Sequence, residues 1–193
     1  AASRGAKKLS CLHPLANYNG PVSADLTIFR KIGERIPGVG IEDRSLMLRT
    51  MRSVKSAGEL ALMRRAIDIT ASGFAIALKT IRPDAGERAV CEAIENAYRA
   101  GGASGPSGGP TADNSIVGSG LNGTVLHYRA NDGPTNNGEV LGIDSGAQYR
   151  GYAADITRTY PISGKFDSTQ ADFYNLVLSA QAASIKAAKP GAT

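Results

Sequence analysis

The stretch Val140 to Phe166, VLGIDSGAQYRGYAADITRTYPISGKF, decides the reading of this chain. It holds two aspartates, Asp144 and Asp155, set symmetrically about Tyr149-Arg150-Gly151. Residue numbers across an antiparallel pair sum to a constant, so a turn centred between Tyr149 and Arg150 sets 144 opposite 155, with both side chains on one face. Opposed side chains lie about 4.5–5.5 Å apart at Cβ, and two bare carboxylates that close repel unless a cation stands between them. Two-metal hydrolytic sites hold ions roughly 3.5–4 Å apart, a gap that bridging carboxylates span. The plain alternative is a polar hairpin with two solvated acids. Against it, Asp144 follows the apolar run Val140-Leu141-Gly142-Ile143, and Asp155 sits between Ala153-Ala154 and Ile156. Both acids stand where a core strand carries a hydrophobe. A β-bulge would shift the pairing by one residue and undo the symmetry.

Helices flank this stretch. Ser56-Ala57-Gly58-Glu59 reads as a capping box, and Leu60, Met63, Ile67, Phe74, Leu78 and Ile81 follow at helical spacing until Arg82-Pro83. That helix is expected to pack one face on a sheet. A second helix reads from Glu87 to Arg99 on the stripe Val90, Ile94, Tyr98, stopped by Gly101-Gly102. A third runs from about Ser168 to Ala188 on Phe173, Leu176, Val177 and Ala180. Strands lie between the second and third, which predicts an α+β chain with a mostly antiparallel sheet and helices outside it. Residues 1–42 show only short apolar pieces broken by Pro14, Gly20, Pro21, Pro37, Gly38 and Gly40. They read as irregular, the tail of a preceding domain.

Composition excludes more than it proposes. The 193 residues are 42% hydrophobic and 20% charged, ordinary for a globular protein. The net charge of +5 is scattered along helices, and four Phe, seven Tyr and no Trp offer few stacking platforms for bases, so no nucleic acid is expected as partner. No apolar run reaches the roughly 20 residues that span a bilayer, which argues against a membrane partner. Cys11 and Cys91 lack the density and spacing of a disulfide or zinc framework. Two reduced thiols in a cytoplasmic protein are the expectation.

Some motifs are better discounted. Gly118-Ser119-Gly120-Leu121-Asn122-Gly123 satisfies GxGxxG, but a dinucleotide site needs a helix afterwards, and Thr124-Val125-Leu126 reads as a strand. Asn122-Gly123-Thr124 is a glycosylation sequon only in a secretory setting. Gly101 to Pro110, GGASGPSGGP, reads as a flexible linker, or else as the rim of a cleft. His127, between Leu126 and Tyr128, reads first as a hydrogen-bonded structural residue. Thr157, two residues past Asp155 on the same strand face, is a candidate to hold a carboxylate or an ordered water, with packing of its methyl as the alternative.

Ile143-Asp144-Ser145-Gly146, Tyr149, Gly151-Tyr152-Ala153, Asp155-Ile156-Thr157-Arg158-Thr159 and Pro161 through Gly164-Lys165-Phe166 closely resemble the metal-binding hairpin of aminopeptidase P. These are the Xaa-Pro aminopeptidases of the pita-bread metallopeptidase group. The resemblance extends upstream through Ile116-Val117-Gly118-Ser119-Gly120, Asn122-Gly123 and Leu126-His127-Tyr128, and covers about Met51 to Thr193. It implies that Asp144 and Asp155 are two of five ligands to two divalent ions, manganese first with zinc or cobalt as alternatives, and that Asp155 is the bridge. It also implies a catalytic, substrate-lining His127, and hydrolysis of the bond before a second-position proline by a hydroxide bridging the ions.

The other implied ligands, one histidine and two glutamates, correspond to places beyond Thr193, and neither His13 nor His127 matches the missing histidine. The chain is therefore expected to be part of a longer enzyme: residues 1–50 end a preceding domain, and 51–193 form the first half of the catalytic one. Alone it is expected to be inactive. A homo-oligomer such as a dimer is compatible with the sequence. The alternatives are an Xaa-Pro dipeptidase (prolidase) and a pita-bread binding module that has lost catalysis, against which both retained aspartates argue.

Overall fold

The computed structural model describes residues 7–12, 22–105, 109–111 and 114–192. His13 lies outside them, as do residues 106–108 of the Gly/Pro/Ser loop. The chain divides into two compact units, Ala1–Ala57 and Gly58–Thr193.

The first unit corrects the expectation of irregular structure before residue 43. Strand β1 (Lys8–Cys11), helix α1 (Ala24–Arg35) and strand β2 (Gly40–Asp43) form a β-α-β unit, followed by helix α2 (Ser45–Ser53). β1 and β2 are parallel, with Lys8 beside Gly40 and Cys11 beside Asp43. The breakers delimit these elements rather than dissolve them. Ser23, just after Pro21, caps α1 by accepting from the Leu26 amide at 3.3 Å. At the other end Ile36-Pro37-Gly38 turns the chain, Gly38 taking a φ of +85° that suits glycine. Leu26, Phe29, Ile32 and Ile36 do carry helical spacing, which the flanking prolines and glycines mask.

The second unit opens with α3 (Ala57–Thr80) and α4 (Glu87–Ala100). β3 (Ile116–Ser119) leads into a 3-10 turn over Gly120–Thr124, so Thr124-Val125-Leu126 is not the expected strand. β4 (Val140–Ser145), β5 (Gln148–Tyr149), β6 (Tyr152–Ala153) and β7 (Ile156–Pro161) follow, then α5 (Ser168–Ala187). The sheet is antiparallel in the order β3-β4-β7, and β5 and β6 form the hairpin tip beyond it. Mixed helix and antiparallel sheet is the predicted class.

The core lies between α3, α4 and one sheet face. Val90, Ile94 and Tyr98, the predicted α4 stripe, are all completely buried, against Val117, Leu141 and Ile143. Burying each such aliphatic side chain contributes roughly 1.5–3 kcal/mol. α3 meets α4 through its small side, Ala66, Thr70, Gly73 and Ala77, together with Ile69 and Phe74. Gly73 lies against the Tyr98 ring, where a Cβ would collide with the ring carbons. Leu60, Ile67 and Leu78, half of the stripe read from the sequence, are instead exposed, because close helix contact selects the small-residue face.

α5 has the predicted span and no buried residue; Phe173, Leu176 and Val177 are each about two-thirds exposed. Asp167 and Gln170 cap it reciprocally. Among the described residues no helix is long and apolar enough to cross a membrane, and Cys11 and Cys91 are both free thiols.

Candidate metal centre

Strand β4 sets the direction of Asp144. Leu141, Ile143 and Ser145 alternate into the core, so Gly142 and Asp144 point from the opposite face. Ser145 is anchored there: Tyr98 donates to its hydroxyl at 3.1 Å, and the Ser115 hydroxyl lies 2.9 Å away. Two residues on, the buried Ala147 amide donates to Thr70 Oγ1 at 2.9 Å. The strand is therefore clamped from α3 and α4 on the face away from Asp144. Burial pushes the Tyr98 phenol up to about 12, although the hydrogen bonds to Ser145 and Thr70 oppose it.

The hairpin register differs from the symmetric reading. Asp144 pairs with Thr157, not Asp155. The turn is the two-residue Arg150-Gly151, with φ of +48° and +86°, and Tyr149 pairs with Tyr152 to close it. Two successive positive φ angles are what a tight hairpin turn demands, and glycine at 151 fixes the turn one position later than expected. The same register runs on: the Ala154 amide donates to the Ala147 carbonyl at 3.0 Å. Asp155 therefore falls opposite Gly146, where a Cβ would collide with the Ala154 carbonyl. The shift is two residues, and side-chain direction has period two, so Asp144 and Asp155 keep a common face as diagonal neighbours. Diagonal Cα atoms are about 7–8 Å apart, still within reach of one ion pair.

Thr157 donates from Oγ1 to Asp144 Oδ1 at 2.8 Å, which makes it a residue that orients this carboxylate. Asp155 is exposed, and among the described residues no hydrogen bond or ion pair engages its side chain. Among the same residues no group of three or more His, Cys, Asp and Glu forms a cluster able to hold a metal. His127 stands apart on the loop after the 3-10 turn, exposed, with a left-handed φ of +54°. The structure thus brings Asp144 and Thr157 into contact and sets Asp155 on their face. His127 comes from a separate segment.

Sequence reading missed Glu87, which it took only as a helix start. This carboxylate is completely buried at the first turn of α4. Oε1 accepts from the Ser119 amide at 2.7 Å and Asn122 Nδ2 at 3.0 Å; Oε2 accepts from the Tyr128 hydroxyl and the Gly133 amide, both at 2.8 Å. Burial pushes its carboxyl up, but the donors from Asn122, Ser119 and Gly133 outweigh this and hold it below the usual range. Asn131 was also missed. Its amide takes the Val117 N–H and gives to the Ser115 carbonyl, each at 2.8 Å. An acid at a helix start is an ordinary dipole partner, so nothing local marks either residue.

The Peptidase_M24 family model, metallopeptidase family M24, matches residues 61–193, a span that includes every residue of the site above. The chain belongs to metallopeptidase family M24. Xaa-Pro aminopeptidase of Haemophilus influenzae is 42% identical over 145 residues, 75% of this chain and 33% of that protein. Among solved structures, proline aminopeptidase P II from Yersinia pestis superposes with a TM-score of 0.79 at 34% identity, over 92% of this chain and 40% of that one. A zinc-substituted Escherichia coli aminopeptidase P in complex with product gives 0.80 at 33%, over 94% and 41%. The chain spans about a third of the length of the curated relatives it matches. Its fold is a partial M24 pita-bread domain, and the family is one of divalent-metal peptidases.

Proposed function

We propose that this chain carries half of the two-ion centre of an Xaa-Pro aminopeptidase, which releases the first residue of peptides whose second residue is proline. One observation carries the reading: within the M24 span, Asp144 and Asp155 share a face, Thr157 holds the first, and the second is left without a partner among the described residues. An exposed carboxylate diagonal to one oriented by Thr157 gives a pair of oxygen donors on one face.

The donors fit the group. Carboxylate oxygens suit hard and borderline divalent ions, manganese before zinc or cobalt. Two aspartates do not complete the shells of two ions, so the remaining ligands come from polypeptide outside these 193 residues. Residues 51–193 are then the first half of the catalytic domain and 1–50 the end of a preceding one. The free thiols suit a reducing cytoplasm.

When bound, such ions acidify a water and polarise a carbonyl. The chain's own residues then have distinct tasks. Asp144 and Asp155 would hold the ions. Thr157 fixes the rotamer of Asp144. His127 donates a hydrogen bond to the scissile carbonyl oxygen as charge develops on it, and such a preorganised donor lowers the barrier.

The test is Asp155→Asn in the full-length protein. It is expected to lose metal-dependent release of the residue before proline and to bind fewer ions by elemental analysis, while its circular dichroism is unchanged. A fully active variant would sink the assignment.

A further inference from the structure

Among the described residues no hydrogen bond holds the His127 side chain, yet its loop is tied down on both sides of it. Before it, Ser119 and Asn122 bond to Glu87; after it, Tyr128 and Gly133 do the same. Tyr128, the next residue in the chain, is the nearest tie. Its hydroxyl lies 2.8 Å from Glu87 Oε2, the shorter of its two acceptor contacts, with Asp132 Oδ1 at 3.0 Å, and accepts from Asn122 Nδ2 at 3.0 Å, closing a ring of side chains at the base of the loop. The Glu87 backbone joins in, its amide donating to the Gly133 carbonyl at 3.0 Å. A non-glycine residue at φ +54° persists only where the surroundings over-determine it.

We propose that Glu87 and Tyr128 are positioning residues for the reaction: the buried carboxylate gathers the segment from Ser119 to Gly133 and, through the Tyr128 hydroxyl, sets where the His127 imidazole stands. The inference rests on the reading of His127 as the group that meets substrate. Glu87 is completely buried and the Tyr128 hydroxyl is engaged with it, so both act through His127 rather than on substrate. Their contribution is to hold the donor within the tolerance that electrostatic stabilisation of a carbonyl requires, since a misplacement of about 1 Å can cost roughly 100-fold. The ionised state of Glu87 suits this task, because a carboxylate accepts from all its donors at once whereas a protonated one turns a proton toward them. The donors around it hold its carboxyl below the usual range.

A double-mutant cycle in the full-length, metal-loaded enzyme tests this, with hydrolysis of an Xaa-Pro peptide as the readout. Tyr128→Phe removes one hydroxyl and leaves Glu87 its other donors, so it is the variant that keeps the fold. It is expected to lower kcat/KM by roughly 10- to 100-fold with metal content unchanged. On a His127→Ala background the same change is expected to cost nothing more, because there is no imidazole left to place. Glu87→Gln is expected to follow Tyr128→Phe in direction. Wild-type activity in Tyr128→Phe overturns the proposal. So does a loss that multiplies in full with that of His127→Ala, which marks two independent, merely structural effects. Full activity in His127→Ala overturns the underlying reading of His127, and the proposal with it, and is distinct from both other results.

Discussion

Glu87 and Asp155 are both carboxylates of the larger unit, and they are treated in opposite ways. Glu87 is completely buried and its oxygens are filled by donors from three segments of chain. Asp155 is exposed, faces a glycine across the hairpin, and has no engaged side-chain oxygen among the described residues. Asp144 lies between these extremes, half-buried with one threonine. A carboxylate saturated with hydrogen bonds is a strut; one kept unsaturated is available to a ligand. On the proposed reading the chain uses the same functional group for structure and for chemistry, and the number of donors around each carboxylate separates the two.

Substitutions can break or sharpen that contrast. Asp155→Asn, which abolishes activity on our reading, should change the unfolding free energy of the metal-free protein by less than about 0.5 kcal/mol, as an exposed substitution does. A large loss of stability in urea would make Asp155 a strut after all. Thr157→Val leaves both aspartates in place and frees one to rotate; removal of such an outer partner is expected to cost roughly 10- to 100-fold in metal affinity, read by competition with a chelating dye. Unchanged affinity would mean that the Asp144 contact is incidental. Unlike Asp155→Asn, Glu87→Gln should lose stability as well as activity, about 1–3 kcal/mol in urea, because donors then face an amide nitrogen. Parental stability would erase the distinction.

The smallest effect is on acid stability. The folded carboxyl of Glu87 lies below the ordinary 4.5, so its stabilisation is fully present above that value and is lost as pH falls through the lower folded one. Glu87→Gln should therefore flatten the acid limb of the stability curve below about pH 4.5 relative to the parent, measured by urea titrations at stepped pH. Parallel limbs would show that Glu87 titrates alike in both states.

Much of this was legible in the sequence, for reasons that differ by element. α4 was readable because Val90, Ile94 and Tyr98 form a clean stripe bounded by glycines, and the structure buries all three. α3 was readable as a helix but not in its buried face, since Ala66, Thr70, Gly73 and Ala77 carry a packing signal only once Tyr98 lies against them. The common face of Asp144 and Asp155 survived a wrong turn position because a two-residue slip preserves parity. The β-α-β unit before residue 43 was hidden by its own punctuation. Glu87 was hidden most completely. Its partners lie 32 to 46 residues away, and no local pattern reports a bond across that separation.

The side of β3 turned away from β4 carries one more consequence. An outermost strand presents a row of unclaimed amides, onto which a stray strand from another molecule can add and begin an aggregate. Here the Val117 amide is claimed by Asn131 and the Ser119 amide by Glu87, while Asn131 also covers the Ser115 carbonyl. Two side chains do the work of a missing neighbour strand. The outer margin of the sheet is thereby closed to intruders without the length of chain that another strand would need.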